Sequence, residues 1–394
     1  MTIIYKQPSK LANLTLVLPL GSSTENIVTN GATHFLEHLF FRNRESLTQE
    51  AELNAIEWNA WTTKDALYLN ALTIPENKEI MLKEAKELLK LKNITPQTIC
   101  EEKRHILEEN EQTSNHPLTA MMDFISASCY SGPYSMPIIG SRHNILNMNT
   151  SILEEIKEDL DASDLFIFTN FKSPGFDDPI FTRKSTKSKV AADSRFAPQI
   201  EEAFYLRSGS DLTQSHVAIS LHGGSWSDPK LGERLLLNQI IFFNLENLAS
   251  NVSVQPFSSI MKSDSSFFGS MLTGKIDDLQ KILQRNIKTL GNIDEDELDE
   301  LKEQITYALQ EENIGYFDSI EYMVHEHING FDREQLFESI RNTSKSDIDQ
   351  LLDQYVKDHQ IAVHILHETP DKPDRPLGYR FDIASGRITT DNKI

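Results

Sequence analysis

The stretch Asn30-Gly-Ala-Thr-His-Phe-Leu-Glu-His-Leu-Phe-Phe-Arg-Asn43 limits what this chain can become more than any other. It holds His34, Glu37 and His38 in the order H-x-x-E-H. Residues four apart share a helix face, so a helix here would offer two imidazoles to one cation and keep a carboxylate next to them. Two neutral imidazoles with an open position begin a catalytic zinc site. Zinc would lower the pKa of water toward neutrality, and Glu37 could take the proton and pass it to a departing amine. The bland alternative is a polar cluster in the core. Gly31 and Ala32 precede the pattern, and Phe35, Leu36, Leu39, Phe40 and Phe41 surround it with apolar bulk. Polar groups so enclosed must be satisfied, and one metal ion would satisfy all three.

The chain has 394 residues, enough for two domains with substantial cores. No apolar run has membrane-spanning length, and Leu16–Leu20 is too short even for the core of a signal peptide. Cys100 and Cys129 form neither a disulfide framework nor a metal-binding pair of the C-x-x-C kind. The chain therefore reads as cytoplasmic, and abundant Asn, Lys and Ile with no transit peptide lean toward a bacterial source. A formal net charge of -21 argues against nucleic acid and suits basic or neutral peptides, although solubility alone would also explain it.

In chain order, Asn13–Ser23 reads as a strand ending in a Gly-Ser turn before the His/Glu helix. Ser46–Glu57 reads as a helix with capping-box spacing, and Trp58–Ile74 as two strands around Thr63-Lys-Asp65. Glu76–Lys92 is amphipathic, and Thr95-Pro96 starts a helix running to about Gln112. That helix carries Glu102 and Glu109, two turns apart on nearly one face, and either is a natural third ligand. Pro117–Tyr130 and Thr150–Leu160 are helical, and Asp164–Phe171 is an apolar strand. Residues 184–198, rich in Lys, Ser and Ala, read as a linker between a domain over 1–183 and another over 199–394. Ser215–Leu221, Leu231–Leu248, the strand pair Ser258–Thr273, helices over Ile276–Leu290, Glu295–Asn313, Tyr316–His327 and Ser344–Val356, and the strand Ile361–Leu366 repeat the strand-then-helix order of the first half. The His/Glu cluster is not repeated. The tail from His367 reads as loop or disorder. This is an α+β duplication with one metal-bearing copy.

The stretch Gly31–His38 resembles the pitrilysin or insulinase-like zinc metallopeptidases, the inverzincins, which include mitochondrial processing peptidase and bacterial members of this length. Glu102-Lys-Arg-His-Ile-Leu-Glu-Glu109 is similar to that family's E-R-x-x-x-L-x-E helix. The resemblance implies one Zn2+ per chain on His34, His38 and Glu109, with Glu37 as general base and Glu102 as the carboxylate behind the ligands. His105 stands where the family has an aliphatic residue and is no ligand. Asn59-Ala60-Trp61-Thr62 resembles the strand that pairs with substrate backbone. Two homologous α/β domains, each a mostly antiparallel sheet packed with helices, would form half of a clamshell chamber.

One departure bears on activity. The family places an Arg and a Tyr, which reach bound substrate, in a segment matching Phe242–Val254, and neither residue occurs there. No tyrosine lies between Tyr205 and Tyr307. A related second subunit could supply the pair, which favours a heterodimer over a homodimer. The expectation is an endopeptidase subunit acting on short or unfolded peptides, a small precursor peptide among them. The rival is a catalytically silent structural or docking subunit.

Overall fold

The computed structural model describes residues 2–5, 10–42, 53–92, 94–182, 202–208, 214–262, 265–283, 287–311, 323–369, 378–382 and 387–391. In chain order the elements are β1 (Thr2–Tyr5), β2 (Ala12–Leu18), α1 (Ala32–Arg42), β3 (Glu57–Thr62), β4 (Leu67–Thr73), α2 (Lys78–Leu89), α3 (Pro96–Asn115), α4 (Pro117–Cys129), α5 (Arg142–Asn147), α6 (Thr150–Ala162) and β5 (Phe166–Thr169). There follow β6 (Glu202–Ser208), β7 (Ser215–Gly224), α7 (Leu231–Leu248), β8 (Ser253–Ser259), β9 (Ser266–Gly274), α8 (Ile276–Leu283), α9 (Ile287–Leu290), α10 (Glu295–Glu311), α11 (Arg333–Asn342), α12 (Lys345–Lys357), β10 (Ile361–Thr369), β11 (Gly378–Asp382) and β12 (Arg387–Asp391). The expected linker over 184–198 and most of the expected helix Ser46–Glu57 lie outside the described residues.

The chain divides into two compact units, Met1–Ser114 with Gly132–Ala192, and Asn115–Ser131 with Asp193–Ile394. Helix α4 thus belongs with the second unit, whereas a division into two consecutive segments leaves it with the first. Each unit holds one five-stranded sheet, ordered β1-β5-β2-β4-β3 and β6-β10-β7-β9-β8. In both, the first strand pairs in parallel with the last and every other pairing is antiparallel. Two sheets with one strand order are the structural form of the duplication.

Within the first unit, period-two alternation decides which residues enter the core. Leu14, Leu16 and Leu18 of β2 join the apolar cluster with Phe35, Leu36, Leu39 and Phe40 of α1. On the other face the Asn13 carbonyl and the Thr15 hydroxyl find partners on neighbouring strands, whereas the buried Asn13 side-chain amide has none among the described residues. Thr169 donates to the Asn13 carbonyl at 2.7 Å, and Asn70 Nδ2 donates to Thr15 Oγ1 at 2.8 Å. Helix α3 buries Ile99, Glu102 and Ile106. This stripe at spacings of three and four continues to Glu109, so both carboxylates point inward with the apolar residues.

The tail corrects one expectation. Strand β10 runs on to Thr369, and β11 pairs antiparallel with β12. Within the turn-rich tail, Tyr-Arg-Phe and Arg-Ile-Thr-Thr supply the strand-forming residues of these two strands. Strands β1 and β6 and helices α5 and α11 were not foreseen. Both strands sit at sheet edges, and β1 has only four residues, too few to show alternation.

Candidate metal centre

Helix α1 starts where the chain leaves Gly31 with φ of 88°. A side chain there would be strained, and a Cβ would lie 2.7 Å from the Ile139 carbonyl oxygen. The first turn is held by Glu25, a buried carboxylate. Its Oε2 accepts the Gly31 N–H at 2.8 Å and its Oε1 accepts the Thr33 N–H at 2.7 Å. An anion at this end answers both the open N–H groups and the helix dipole. Burial raises the Glu25 pKa, and the hydrogen bonds partly oppose that rise.

One turn further on, His34 and His38 present their rings edge to face with centroids 4.7 Å apart. Glu109 of α3 bridges them, Oε1 lying 3.6 Å from His34 Nε2 and Oε2 lying 3.1 Å from His38 Nε2. Ligand atoms of these three residues all fall within 4.8 Å of one another. Behind them Glu102 Oε1 lies 3.0 Å from His38 Nδ1, while its Oε2 accepts from Arg42 Nη1 at 3.0 Å. Arg42 also pairs with Glu101. His34 Nδ1 is buried and has no hydrogen-bond partner among the described residues.

The electrostatics follow from this geometry. Burial disfavours protonated His38, yet the hydrogen bonds and charges of Glu102 and Glu109 outweigh burial and raise its pKa to about 9. Hydrogen bonds from His34 and His38 hold the Glu109 carboxyl well below the usual range. Burial raises Glu102, but His38 and Arg42 overcome that effect and leave it lowered. Two imidazole nitrogens and a carboxylate crowd one point, with an anion behind one imidazole. That donor set fits zinc: bonds of about 2.0–2.2 Å in tetrahedral geometry separate ligand atoms by roughly 3.3 Å. A proton held between His38 and Glu109 occupies the place a cation would take.

Glu37 lies half-buried one residue before His38 and accepts a hydrogen bond from Thr62 Oγ1 at 2.5 Å. Asn59, Ala60, Trp61 and Thr62 all lie on β3, which among the described residues pairs with β4 alone and forms the edge of its sheet. Asn59 is exposed, and Trp61 stacks on Tyr68 with centroids 4.7 Å apart. His105 is exposed on α3 and takes no part in the cluster. Sequence reading missed Glu25, Arg42 and the bond from Thr62 to Glu37. Arg42 was findable, because it stands four residues after His38 and so on the same helix face. Glu25 gave no such signal, since its link to the helix runs through a loop.

Fold and site together define a duplicated α+β chain with a metalloprotease-like donor set in its first unit. Residues 1–142 match the model of the insulinase family, peptidase family M16. Among relatives, a probable mitochondrial-processing peptidase subunit beta from Schizosaccharomyces pombe is 23% identical over 340 residues, covering 76% of this chain and 74% of that protein. The uncharacterized zinc protease YmxG of Bacillus subtilis is 20% identical over 312 residues, covering 73% of this chain and 76% of that protein. The crystal structure of a protease from Helicobacter pylori superposes with a TM-score of 0.76 at 18% identity, covering 93% of this chain and 96% of that one. That last likeness is one of fold. No helix among the described residues is long and apolar enough to cross a membrane.

Proposed function

We propose that this chain is a zinc-dependent endopeptidase subunit that hydrolyses short or unfolded peptides in a closed chamber completed by a related second subunit. The observation that carries the reading is the convergence of His34, His38 and Glu109 on one point, with Glu37 beside it. His34, His38 and Glu109 would hold one zinc ion, and Glu102 would keep His38 in the tautomer whose Nε2 faces it. Bound zinc would polarise the scissile carbonyl and acidify water. Glu37 takes a proton from the attacking water and returns it to the departing amine. The open edge of β3, with Asn59 to Thr62, offers backbone groups to an extended peptide, so affinity comes from the main chain and tolerates varied sequences. The chain's net charge of -21 favours basic peptides, a small precursor peptide among them. Composition and the two unpaired cysteines suit the cytoplasm of a bacterium.

A second reading, a catalytically silent docking subunit, is favoured by Phe242–Val254. This stretch spans the end of α7 and the start of β8 and contains neither Arg nor Tyr. The same absence supports a heterodimer over a homodimer if the chain is active. The test measures bound zinc and hydrolysis of a quenched basic peptide for the chain alone, for the chain with the related subunit, and for Glu37→Gln. One zinc per chain, with hydrolysis only in the mixture and lost in the variant, supports the peptidase. Zinc-free and inactive protein in every sample supports the docking subunit.

A further inference from the structure

The hydroxyl of Thr62 has one hydrogen bond among the described residues, and it goes to Glu37 Oε2 at 2.5 Å. Its neighbour shows what a structural threonine does at this hairpin. Thr63 Oγ1 donates to the Ala66 carbonyl at 3.1 Å and accepts the N–H groups of Asp65 and Ala66 at 3.3 and 3.0 Å, closing the turn into β4. Thr62 contributes nothing to that turn through its side chain. Its ladder partner is Leu67, and pairing there uses backbone alone.

The hairpin tip that carries Thr62 is braced from several directions. Ser22 N–H donates to the Thr63 carbonyl at 3.1 Å and Ser23 N–H to the Lys64 carbonyl at 2.9 Å. The approach is close enough that a Cβ on Gly21 would lie 2.4 Å from both carbonyl oxygens. Lys64 Nζ donates to the Met136 carbonyl, and Tyr134 donates to Asp65 Oδ1 at 3.4 Å. A donor on so fixed a support can hold a carboxylate, whereas Glu37 alone has three rotatable side-chain bonds.

We propose that Thr62 is a positioning residue that fixes the Glu37 carboxylate for proton transfer, a role that rests on the peptidase reading of this site. It differs from a role of Thr62 in gripping substrate, which would act on binding. A base displaced by about 1 Å loses roughly 10- to 100-fold in rate without weakening binding.

The test compares Thr62→Val, Thr62→Ser and Glu37→Gln in the full-length, zinc-loaded chain with its related subunit, together with crystal structures of the variants. Thr62→Val keeps shape and strand preference while removing the donor, and Thr62→Ala serves if the valine variant does not fold. The expected result is a fall of about 10- to 100-fold in kcat, with KM within about twofold and zinc content unchanged, and recovery to within about threefold in Thr62→Ser. The Glu37 carboxylate should also leave its wild-type rotamer in the valine variant. An unchanged kcat, or a raised KM at constant kcat, overturns the proposal. If the wild-type chain hydrolyses nothing, the peptidase reading fails on its own. The crystal structures then decide the role of Thr62, which is refuted by a Glu37 carboxylate that stays in place without the hydroxyl.

Discussion

Glu102 Oε1 lies 3.0 Å from His38 Nδ1, so one imidazole of the cluster is fixed from behind while its other nitrogen faces Glu109. The second oxygen of Glu102 is taken by Arg42. Arg42, Glu102 and His38 therefore form a line of alternating charge in which each member orients the next. Glu102→Gln keeps the shape and removes the anion. It should weaken zinc binding by about 10- to 100-fold, the usual cost of losing such a partner, as read by competition with a chromogenic chelator. Arg42→Gln should give a smaller loss, because Glu102 still faces His38. Equal affinity in wild type and Glu102→Gln would remove Glu102 from the metal site altogether.

The zinc-free protein should lose stability as pH rises. His38 has a folded pKa of about 9 against an ordinary value of 6.5. The raised pKa favours the folded state in full below about 6.5, and that contribution is lost as pH climbs through 9. Glu109 is 39% exposed, so solvent screens part of the pairing, and the change should amount to about 2 kcal/mol. Urea melts of the zinc-free chain at pH 6.5 and pH 9.5 measure it. Zinc should behave oppositely, because it competes with the His38 proton. Binding at pH 7 should release about one proton from His38, as shown by titration calorimetry in buffers of different ionisation enthalpy.

His364 predicts a separate loss on the acid side, in the second unit. It is fully buried on β10, its Nε2 lies 2.6 Å from Ser128 Oγ, and its Nδ1 has no hydrogen-bond partner among the described residues. Burial lowers its pKa to about 3. The unfolded chain takes up the proton near 6.5 and the folded chain does not, so stability is complete above 6.5 and falls as pH drops toward 3. One proton changes stability by about 1.4 kcal/mol per pH unit. Between pH 6 and pH 4 the wild type should be steeper than His364→Leu by about that slope in denaturant midpoints converted to free energy. Parallel slopes would mean that His364 is protonated inside the folded protein.

Much of the site was legible because it is local. His34, Glu37 and His38 lie within five residues, and Glu102 and Glu109 share one helical stripe with Ile99 and Ile106. Periodicity and spacing alone could not give the meeting of α1 with α3, which only the family resemblance implied, nor that of α1 with β3, which depends on how the sheet carries them. Thr62 illustrates the limit. Its place on a strand that could pair with substrate backbone was readable, but only the hairpin's position relative to α1 links its hydroxyl to Glu37. The duplicated strand order was hidden for a related reason. The parallel edge pairs β1 with β5 and β6 with β10 join residues more than 150 apart, and no periodicity records such pairing.

Gly31 offers a final test, because it precedes helix α1 and a side chain there meets backbone. Its φ is 88°, and a Cβ would fall 2.7 Å from the Ile139 oxygen and 2.8 Å from the Gly140 Cα. Gly140 is itself at φ of 87°, so neither strand of backbone can yield without leaving its own conformation. Gly31→Ala must therefore push α1 away from the 139–140 segment or strain its first turn, and Glu25 would lose the good geometry of its bonds to Gly31 and Thr33. The left-handed conformation alone costs about 1–2 kcal/mol for alanine, and the contact adds to it. A loss of at least about 2 kcal/mol in urea melts is expected, with weaker zinc binding in the fraction that folds. A stability equal to wild type would show that the loop before α1 accommodates a side chain, and that the placement of His34 and His38 does not depend on this close approach.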